Sequence, residues 1–405
     1  MTDINSIEAI ERRFGAYNYH PLPVVLTRGE GCYVWDTDGR RYLDMMSAFS
    51  AVSHGHANPR LVATMAHQAA QLSVVSRAFY TDQLAPFLEK LCTASGMDMA
   101  LPMNTGAEAV ETGIKAARKW AYEVKGVATN QAEIISCHGN FHGRTLAAVA
   151  MSSEPQYRKN FGPLPGGFRH IDYDDAGALN DAINDNTAAF IVEPIQGEGG
   201  IVVPTDGYLA ECAQICRRHN VLLLCDEIQT GLGRTGSFLA CTHDAVQPDG
   251  LMLGKALGGG LYPVSAFLAR RDILERFAPG DHGSTFGGNP LAAAIASEAL
   301  DILSDDNLIE NSATMGAYLA AALRALESPL IKTVRGRGLL LGIEIYPQHA
   351  TAREVCERLM EHGILTKETH ETIVRFAPPL IIDKTQIDWA IERIDATLKT
   401  FQLNN

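Results

Sequence analysis

The sequence predicts an α/β protein with a large domain around a mostly parallel sheet and a smaller α+β domain. From about residue 100, apolar runs of strand length alternate with stretches of helical periodicity, as in βα units. These runs are apolar on both faces, as buried parallel strands require, and they are residues 132–137, 188–194, 221–227, 250–254 and 263–269. After Asn289-Pro290 the pattern changes to long alanine- and leucine-rich helical stretches, with strand runs at 333–345 and 371–379. This second pattern is typical of an α+β domain.

Two helices are predicted from their spacing and their ends. Before the third apolar run, Leu209, Cys212, Ile215 and Cys216 recur at helical spacing, and two arginines come next, where they complement the helix dipole. This pattern predicts a crossover helix. Further upstream, Thr105 precedes small and apolar residues at positions 107, 110, 114, 117 and 121, so it is predicted to be the N-cap of another helix.

The composition excludes several classes of protein. The 405 residues include 34 Lys and Arg against 47 Asp and Glu, which gives a net charge of −13, and 46% of them are hydrophobic. This is the balance of a globular protein rather than of a disordered or fibrous one. The acidic balance and the lack of a basic run argue against a nucleic-acid binder or a protein of anionic membrane surfaces.

Nothing in the sequence predicts a membrane span, a leader or a metal centre. The uncharged stretch at 256–269 is broken by glycines and a proline, and it is shorter than the ~18 apolar residues that a membrane helix needs. The first residues carry carboxylates and lack the apolar core of a signal peptide. The eight cysteines include no CxxC pair, so we expect no metal and a reducing, cytoplasmic environment.

One glycine-rich motif matches a dinucleotide-binding fingerprint. GLGRTG at 231–236 fits GxGxxG, and an apolar run lies upstream. The true fingerprint sits directly at a strand-to-helix turn, whereas here five residues intervene, including the carboxylates Asp226 and Glu227, and Pro248 interrupts the segment after the motif. A nicotinamide-dependent dehydrogenase is therefore only a remote alternative.

Asp226 and Lys255 are the strongest candidates for chemistry. Each ends an apolar run, at the edge where parallel α/β sheets place their ligands. A lone Asp there is most simply a helix cap or half of an ion pair, but Lys255 is placed to reach the same cleft. An Asp that pairs with a pyridinium nitrogen and a Lys that forms a Schiff base are what pyridoxal 5′-phosphate chemistry requires. A noncatalytic binding protein would leave this pair unexplained.

Two further segments suit such a cofactor. Small residues come after Thr105, so the first backbone N–H groups of the helix are free to bind a phosphate, whose charge the helix dipole favours. After the run that ends at Cys137, Phe141 and His142 offer rings to stack on the cofactor. Ordinary loop packing explains these two rings equally well.

Nine sequence blocks, spread over nearly the whole chain, carry a family resemblance. They are NYHPLPV (18–24), SRAFY (76–80), PMNTGAEA (102–109), GNFHGRT (139–145), VEPIQGE (192–198), DEIQTGLGRTG (226–236), LGKALGGGLYPVS (253–265), HGSTFGGNP (282–290) and IVRFAPP (373–379). On these blocks the chain resembles the class III aminotransferases of fold type I, which use pyridoxal phosphate. NYHPLP and RFAPP narrow the resemblance to the ornithine aminotransferases.

The resemblance implies a division of the chain and an assembly. Residues 1–48 would pack with the small domain, 49–290 would form the large pyridoxal-phosphate-binding domain, and 291–405 would form the C-terminal small domain. The family pattern also implies a homodimer with shared active sites. Thr105, Gly106 and Ala107 would hold the phosphate, and Thr285 would reach it from the other subunit.

The same resemblance implies roles around the cofactor ring. Lys255 would form the Schiff base, and Asp226 would pair with the pyridine nitrogen. Gln229 would bond the ring hydroxyl, while Phe141 would stack on the ring with His142 beside it.

For substrates, the resemblance implies that Tyr19 and Arg144 bind the α-amino and α-carboxylate end of L-ornithine, so that its δ-amine reaches the cofactor. Arg375 would bind the α-carboxylate of glutamate or 2-oxoglutarate. Glu198 would pair with Arg375 while ornithine is present and release it for the diacid. An unpaired buried guanidinium is costly, so a movable carboxylate lets one pocket accept both substrates.

The expected reaction is the transfer of the δ-amino group of L-ornithine to 2-oxoglutarate. Its products are glutamate 5-semialdehyde, which cyclises to pyrroline-5-carboxylate, and glutamate. One departure affects the expected substrate: SAFSAV (47–52) stands where ornithine aminotransferases usually have SAYSAV, so Phe49 keeps the ring but lacks the hydroxyl. Acetylornithine and 4-aminobutyrate aminotransferases are therefore the close alternatives.

Overall fold

The computed structural model describes residues 4–401 and contains fifteen strands in three sheets within that range. The strands are β1 Leu26–Glu30, β2 Tyr33–Asp36, β3 Arg41–Asp44, β4 Met99–Met103, β5 Glu133–Cys137, β6 Phe168–Ile171, β7 Thr187–Val192, β8 Leu222–Asp226, β9 Gly250–Leu253, β10 Ser265–Ala269, β11 Ile331–Arg337, β12 Leu340–Ile345, β13 Ile364–Leu365, β14 Glu368–Thr369 and β15 Ile373–Phe376. The predicted strand runs match β5 and β7–β10 within one or two residues at most ends.

Helices connect the strands and cover the sheets. Their bounds are Ile4–Phe14, Pro59–Gln71, Leu84–Ser95, Gly106–Trp120, Leu146–Ala150, Pro155–Arg158, Ala176–Ala182, Tyr208–Arg218, Arg271–Leu274, Pro290–Asp305, Leu308–Arg324, Ala352–Glu361 and Lys384–Lys399. Both helices predicted from their spacing are present. Arg217 and Arg218 lie in the last turn of the crossover helix, and Thr105 is the N-cap of Gly106–Trp120, where its hydroxyl accepts the N–H of Glu108. Among the described residues, no helix is long and apolar enough to cross a bilayer.

The largest sheet has seven strands in the order β4-β10-β9-β8-β7-β5-β6. The pairs between neighbours from β9 to β6 are parallel, whereas β10 runs antiparallel to both β9 and β4. The sheet is thus mostly parallel, as predicted. The reversal is confined to β10, whose direction is set by its pairing with β4 and β9.

The side chains of the central strands alternate between two apolar layers. Leu223 and Cys225 face one buried cluster, while Leu222 and Leu224 face the other. Every residue of β8 is buried, because helices cover both faces of the sheet. This accounts for the continuous apolar run in the sequence.

Two smaller sheets complete the fold. One has the order β11-β12-β15-β14 and is antiparallel throughout. The other has the order β1-β2-β3-β13, and its last pair joins β3 to Ile364–Leu365 in parallel. The N-terminal strands therefore share a sheet with the C-terminal part of the chain.

Candidate active site

A cavity of about 200 Å³ opens at the carboxyl ends of the central parallel strands. Nine of its lining residues carry the argument, namely Gly106, Ala107, Phe141, His142, Glu193, Glu198, Asp226, Gln229 and Lys255. They come from segments that lie far apart in the sequence. The topology brings them together because parallel strands all end at one edge of the sheet.

Asp226 is the last residue of β8 and is buried. Its Oδ2 is 2.8 Å from His142 Nδ1, and its Oδ1 accepts the N–H of Ile228 at 3.1 Å. Burial is the largest single influence on His142 and opposes its charged form, but the hydrogen bond to Asp226 and the charges of Asp226 and Glu193 together raise the pKa of His142. His142 therefore orients the carboxylate rather than stacking freely, and its Nε2 is buried with no partner among the described residues.

Lys255 comes after β9 and faces charges of both signs. Burial is the main cause that lowers its pKa, to about 8, and the charge of Arg375 acts in the same direction. The carboxylates of Glu198, Asp226 and Glu193 oppose that shift. A neutral amine is therefore accessible near physiological pH, as a nucleophilic lysine requires.

Glu193 was not predicted as a site residue. It comes directly after β7 and is buried, its Oε2 accepts the N–H of Phe141 at 2.9 Å, and its Oε1 accepts that of Gly197 at 3.3 Å. Burial is the main cause that raises its pKa to about 7. Its position in the sequence could have identified it. Glu193 stands at the end of an apolar run, and the same pattern identified Asp226.

The start of the helix Gly106–Trp120 forms an anion cradle. Thr105 and Glu108 make a reciprocal capping box, in which each side chain accepts the backbone N–H of the other residue. The N–H groups of Gly106 and Ala107, between them, are left free to bind an anion. A side chain at Gly106 would approach Ile228 to 3.0 Å, so a residue without a Cβ suits this close contact. Gly106 and Ala107 line the cavity, while Thr105 is exposed beside it.

Glu198, which lines the cavity, forms an ion pair with the buried Arg375. Arg375 is 1% exposed, and its terminal nitrogen lies 2.7 Å from Glu198 Oε1. Burial opposes the charge of Glu198, but Arg375 outweighs it and lowers the pKa of that carboxyl to about 2. Two more guanidinium nitrogens of Arg375, Nε and one terminal nitrogen, are buried without a partner among the described residues. They are available to a second anion.

Phe49 covers Arg375 from a left-handed turn. Its ring centroid is 5.0 Å from the guanidinium carbon, and its carbonyl accepts Gln229 Nε2 at 3.5 Å. Four consecutive residues of the turn, Ser47–Ser50, have φ of 49°, 48°, 59° and 73°. The left-handed conformation costs a non-glycine residue roughly 1–2 kcal/mol, so other contacts must stabilise this turn.

The predicted site residues outside the lining of this cavity are six, namely Thr105, Phe49, Arg375, Thr285, Arg144 and Tyr19. The last three are exposed. Thr285 is exposed on a loop. Arg144 is exposed, with its guanidinium 3.6 Å from the ring centroid of Tyr157 and 5.5 Å from that of Phe141. Tyr19 is 73% exposed and lines a separate cavity formed by the N-terminal segment and Arg353.

GLGRTG does not form a dinucleotide-binding turn. Arg234 within it is fully buried and donates to the carbonyls of Leu339 and Pro378 and to the hydroxyl of Ser53. The motif therefore links segments of the fold and contacts no phosphate-binding helix.

The lining fits pyridoxal phosphate. A lysine of lowered pKa, a buried Asp held by His142, an anion cradle and the ring of Phe141 surround one space. Gln229 Oε1 is buried without a partner among the described residues, so it is available to a donor such as a ring hydroxyl. These are the groups that such a cofactor needs at its aldehyde, ring nitrogen, phosphate, ring face and hydroxyl.

Comparisons with known proteins agree with this fit. A family model described as "Aminotransferase class-III" matches residues 14–398. The ornithine aminotransferase of Halalkalibacterium halodurans is 55% identical over 393 residues, which are 97% of this chain and 98% of that protein. The solved ornithine aminotransferase of Toxoplasma gondii has a TM-score of 0.97 and 45% identity, covering 98% of this chain and 95% of its own. The acetylornithine aminotransferase of Elizabethkingia anophelis has a TM-score of 0.90 and 45% identity, covering 99% and 100%.

Proposed function

The chain belongs to the class-III aminotransferases, and we propose that within this family it is an ornithine δ-aminotransferase. It would transfer the δ-amino group of L-ornithine to 2-oxoglutarate, giving glutamate 5-semialdehyde and glutamate. The observation that carries the proposal is the ion pair, at 2.7 Å, between Glu198 in the cavity lining and the buried Arg375 behind it. A guanidinium that a neighbouring carboxylate can neutralise or release suits a pocket that accepts a diamino acid and a dicarboxylate in turn.

Class III aminotransferases depend on pyridoxal phosphate, and the residues that would hold it here line the cavity. The cofactor supplies an aldehyde that takes up an amino group and a ring that withdraws electrons from the reacting carbon. Gly106 and Ala107 would bind its phosphate, Phe141 would cover its ring, and Gln229 would bond its hydroxyl. Asp226, oriented by His142, would hold a proton on the ring nitrogen.

Lys255 has two roles in the proposal. Its Nζ would attach the cofactor, and it would then carry the proton that leaves and returns at the substrate carbon. Both roles require the neutral amine, which burial makes accessible by lowering the pKa of Lys255 to about 8. Glu198, Asp226 and Glu193 oppose a larger shift, so the amine can also hold the proton it receives.

The distal part of the cavity would distinguish the two substrates. With Glu198 paired to it, Arg375 offers little net charge to the amino-acid end of ornithine. When Glu198 turns away, Arg375 would bind the α-carboxylate of 2-oxoglutarate. We propose that Arg144, at the edge beside Phe141, contacts the α-carboxylate of ornithine. The role of Tyr19, which lies in the other cavity, stays a prediction.

We also propose a homodimer with shared active sites. Thr285 is exposed and does not line the cavity of its own subunit, while the adjacent Phe286 is 50% exposed. Phe79 and Tyr80, 66% and 106% exposed, belong to a segment tied to the same region through the hydrogen bond from Leu291 N to Ser73 O. Such a group of large exposed apolar side chains is typical of a surface that another chain covers.

A cytoplasmic location is the last part of the proposal. All eight cysteines are unpaired, and seven of them are buried. This is the usage expected of a protein that works in a reducing compartment.

Half-reaction spectra test the proposal. The purified enzyme would be mixed with L-ornithine, N-acetylornithine and 4-aminobutyrate in turn, and loss of the cofactor band near ~420 nm would be monitored. We expect the largest kcat/KM for ornithine, with detectable activity on the other ω-amines because Phe49 lacks a hydroxyl. A larger kcat/KM for N-acetylornithine or 4-aminobutyrate would instead establish that alternative, and absence of the band would exclude all three.

A further inference from the structure

The turn Ser47–Ser50 holds its backbone in a conformation that its residues do not favour. All four φ angles are positive, between 48° and 73°, and none of the residues is glycine. L-residues visit this region singly and not in runs. Such a turn persists only where its surroundings determine it, and strain of this kind is concentrated at ligand sites.

Asp44, the last residue of β3, holds the entry to the turn. Its Oδ1 accepts the N–H groups of Met46 and Ser47, each at 2.8 Å, and its Oδ2 lies 2.7 Å from His56 Nε2. Asp44 is 7% exposed, so these contacts are sheltered from water. Without this carboxylate, the buried N–H of Ser47 and the half-buried N–H of Met46 would lack an acceptor, and the left-handed turn would lose a stabilising contact.

The turn also contacts the segment that carries Arg375. Ser47 Oγ donates to the carbonyl of Ala377 at 2.6 Å, and Ala377 N donates to the carbonyl of Met45 at 2.7 Å. Between these anchors and the cavity, the Phe49 ring lies over the Arg375 guanidinium with 5.0 Å between carbon and centroid. The contacts therefore run continuously from Asp44 to the guanidinium.

We propose that Asp44 is a positioning residue for the carboxylate-binding end of the cavity. By holding the turn left-handed, it keeps Phe49 over Arg375, and it thereby sets the affinity of Arg375 for a dicarboxylate. Asp44 itself touches no substrate. The choice of a dicarboxylate as ligand rests on the proposed function, whereas the hold on Phe49 does not.

Four variants separate this role from a general structural one. Asp44→Ala removes both acceptors, while Asp44→Asn keeps an oxygen that accepts the same two N–H groups. Asp249→Ala is the matched control. Asp249 also accepts a backbone N–H, that of Leu223 at 2.7 Å, and also pairs with a basic side chain, that of Arg270. It precedes β9, so it lies at the end of the large sheet that is opposite to the cavity. Ser47→Ala removes only the hydrogen bond to the carbonyl of Ala377. It is used in place of Asp44→Ala if that variant fails to fold.

The first measurement monitors the Phe49 ring directly. 4-Fluorophenylalanine is placed at position 49 alone, and the ¹⁹F resonance of the holoenzyme is recorded. We expect Asp44→Ala to shift or split this resonance, and Ser47→Ala to do so to a smaller extent. Asp44→Asn and Asp249→Ala should leave it in place. A resonance in Asp44→Ala that coincides with the wild-type one overturns the proposal.

The second measurement is the affinity of the holoenzyme for glutarate, an unreactive dicarboxylate, by calorimetry. We expect Asp44→Ala to weaken binding about tenfold and Ser47→Ala about threefold, with Asp44→Asn and Asp249→Ala within about twofold of wild type. Equal weakening by Asp249→Ala, or none by Asp44→Ala, contradicts the proposal. If the wild-type enzyme does not bind glutarate, the proposed function fails. The fluorine resonance still tests whether Asp44 keeps the Phe49 ring in place.

Discussion

At the scale of single residues, the cavity shows how burial sets the chemistry of a charge. The same desolvation that lowers the pKa of Lys255 raises that of Glu193. At Glu198 it is outweighed by Arg375, which lies close enough to lower the pKa to about 2. The protonation state of each group therefore depends on which neighbours the fold supplies.

Reductive labelling should reveal the lowered pKa of Lys255. Because only the neutral amine reacts, labelling of the apoprotein by pyridoxal phosphate and borohydride should increase with pH, with a midpoint near 8. Peptide mapping by mass spectrometry identifies the labelled lysine. Lys384, whose pKa is raised chiefly by its hydrogen bond to Asp388, is the internal control and should stay unlabelled over the same range. A different modified lysine would contradict the assignment.

Removal of Glu198 should favour substrates with a single carboxylate. In Glu198→Ala, Arg375 has no internal counter-ion, so 4-aminobutyrate gains a partner that it lacks in the wild type. We expect kcat/KM for 4-aminobutyrate to increase about tenfold relative to that for ornithine, which is ~1.4 kcal/mol. Glu344→Ala, which breaks the 2.6 Å pair with Arg335, is the control and should leave the ratio unchanged. An unchanged ratio in Glu198→Ala would show that the pair does not govern selectivity.

Phe49→Tyr should make the enzyme more selective for ornithine. The ring position over Arg375 stays, and the added hydroxyl supplies one hydrogen-bonding group to the polar end of the substrate. One hydrogen bond is worth about 1 kcal/mol, so we expect a few-fold gain in kcat/KM for ornithine over 4-aminobutyrate. The ratio of the two half-reaction rates measures it. A fall in that ratio would mean that the hydroxyl faces no substrate group.

At the scale of elements, two helices share one capping device but differ in what lies next to it. Thr105 and Glu108 begin the helix at the anion cradle, whereas Thr351 and Glu354 begin the helix Ala352–Glu361 away from the cavity. The Glu108 carboxylate also accepts the N–H of Asn104 at 3.0 Å. The first box therefore shapes the backbone that would meet the phosphate.

Glu108→Ala and Glu354→Ala should separate stability from cofactor binding. Each loses one side of a capping box, so each should lower the free energy of unfolding by about 1 kcal/mol in denaturant titrations. Only Glu108→Ala should also weaken pyridoxal phosphate, measured by titration of the apoprotein. Equal cofactor affinity in the two variants would mean that the box holds the helix and nothing more.

At the scale of the whole molecule, segments from distant parts of the chain meet beside the cavity. Arg234 donates to carbonyls of Leu339 and Pro378 and to Ser53, so one buried guanidinium joins the large sheet, the C-terminal part and the N-terminal part. Burial lowers its pKa to about 9. Removing such a group leaves several buried acceptors without a donor, which lowers the free energy of unfolding.

Mixing an inactive variant with a variant impaired in cofactor binding tests the proposed sharing of sites. Lys255→Ala removes the Schiff-base lysine, and Thr285→Ala removes the residue expected to reach the partner's phosphate, which should weaken the cofactor by roughly 0.5–3 kcal/mol. If Lys255 and Thr285 of one site come from different subunits, a mixed dimer contains one intact site. Refolding the two variants together should then restore part of the activity. If both residues of a site came from one chain, the mixed dimer would have no intact site and no activity would return.

Much of the secondary structure was predictable from the sequence, through hydrophobic periodicity and the residues that mark the ends of helices and strands. Buried strands read as apolar runs, and the cap at Thr105 is local, so the mostly parallel sheet and the helix start were predictable. Asp226 and Lys255 were predictable as neighbours because strand ends meet at one edge of a parallel sheet. The blocks around Gln229 and Arg375 pointed to the family, which the comparisons confirm.

The remaining features depend on tertiary contacts that have no local signature. The direction of β10 was decided by pairing, since an apolar run is the same in either direction. The pKa of Glu193 is raised chiefly by the burial that the fold imposes, and the nearby charge of Asp226 adds to it. The left-handed turn at Phe49 contains no glycine from which it could be predicted. It is stabilised by Asp44 and by the segment at Ala377. Most of these features depend on partners far away in the chain, as the turn depends on Ala377, and those partners meet only after folding.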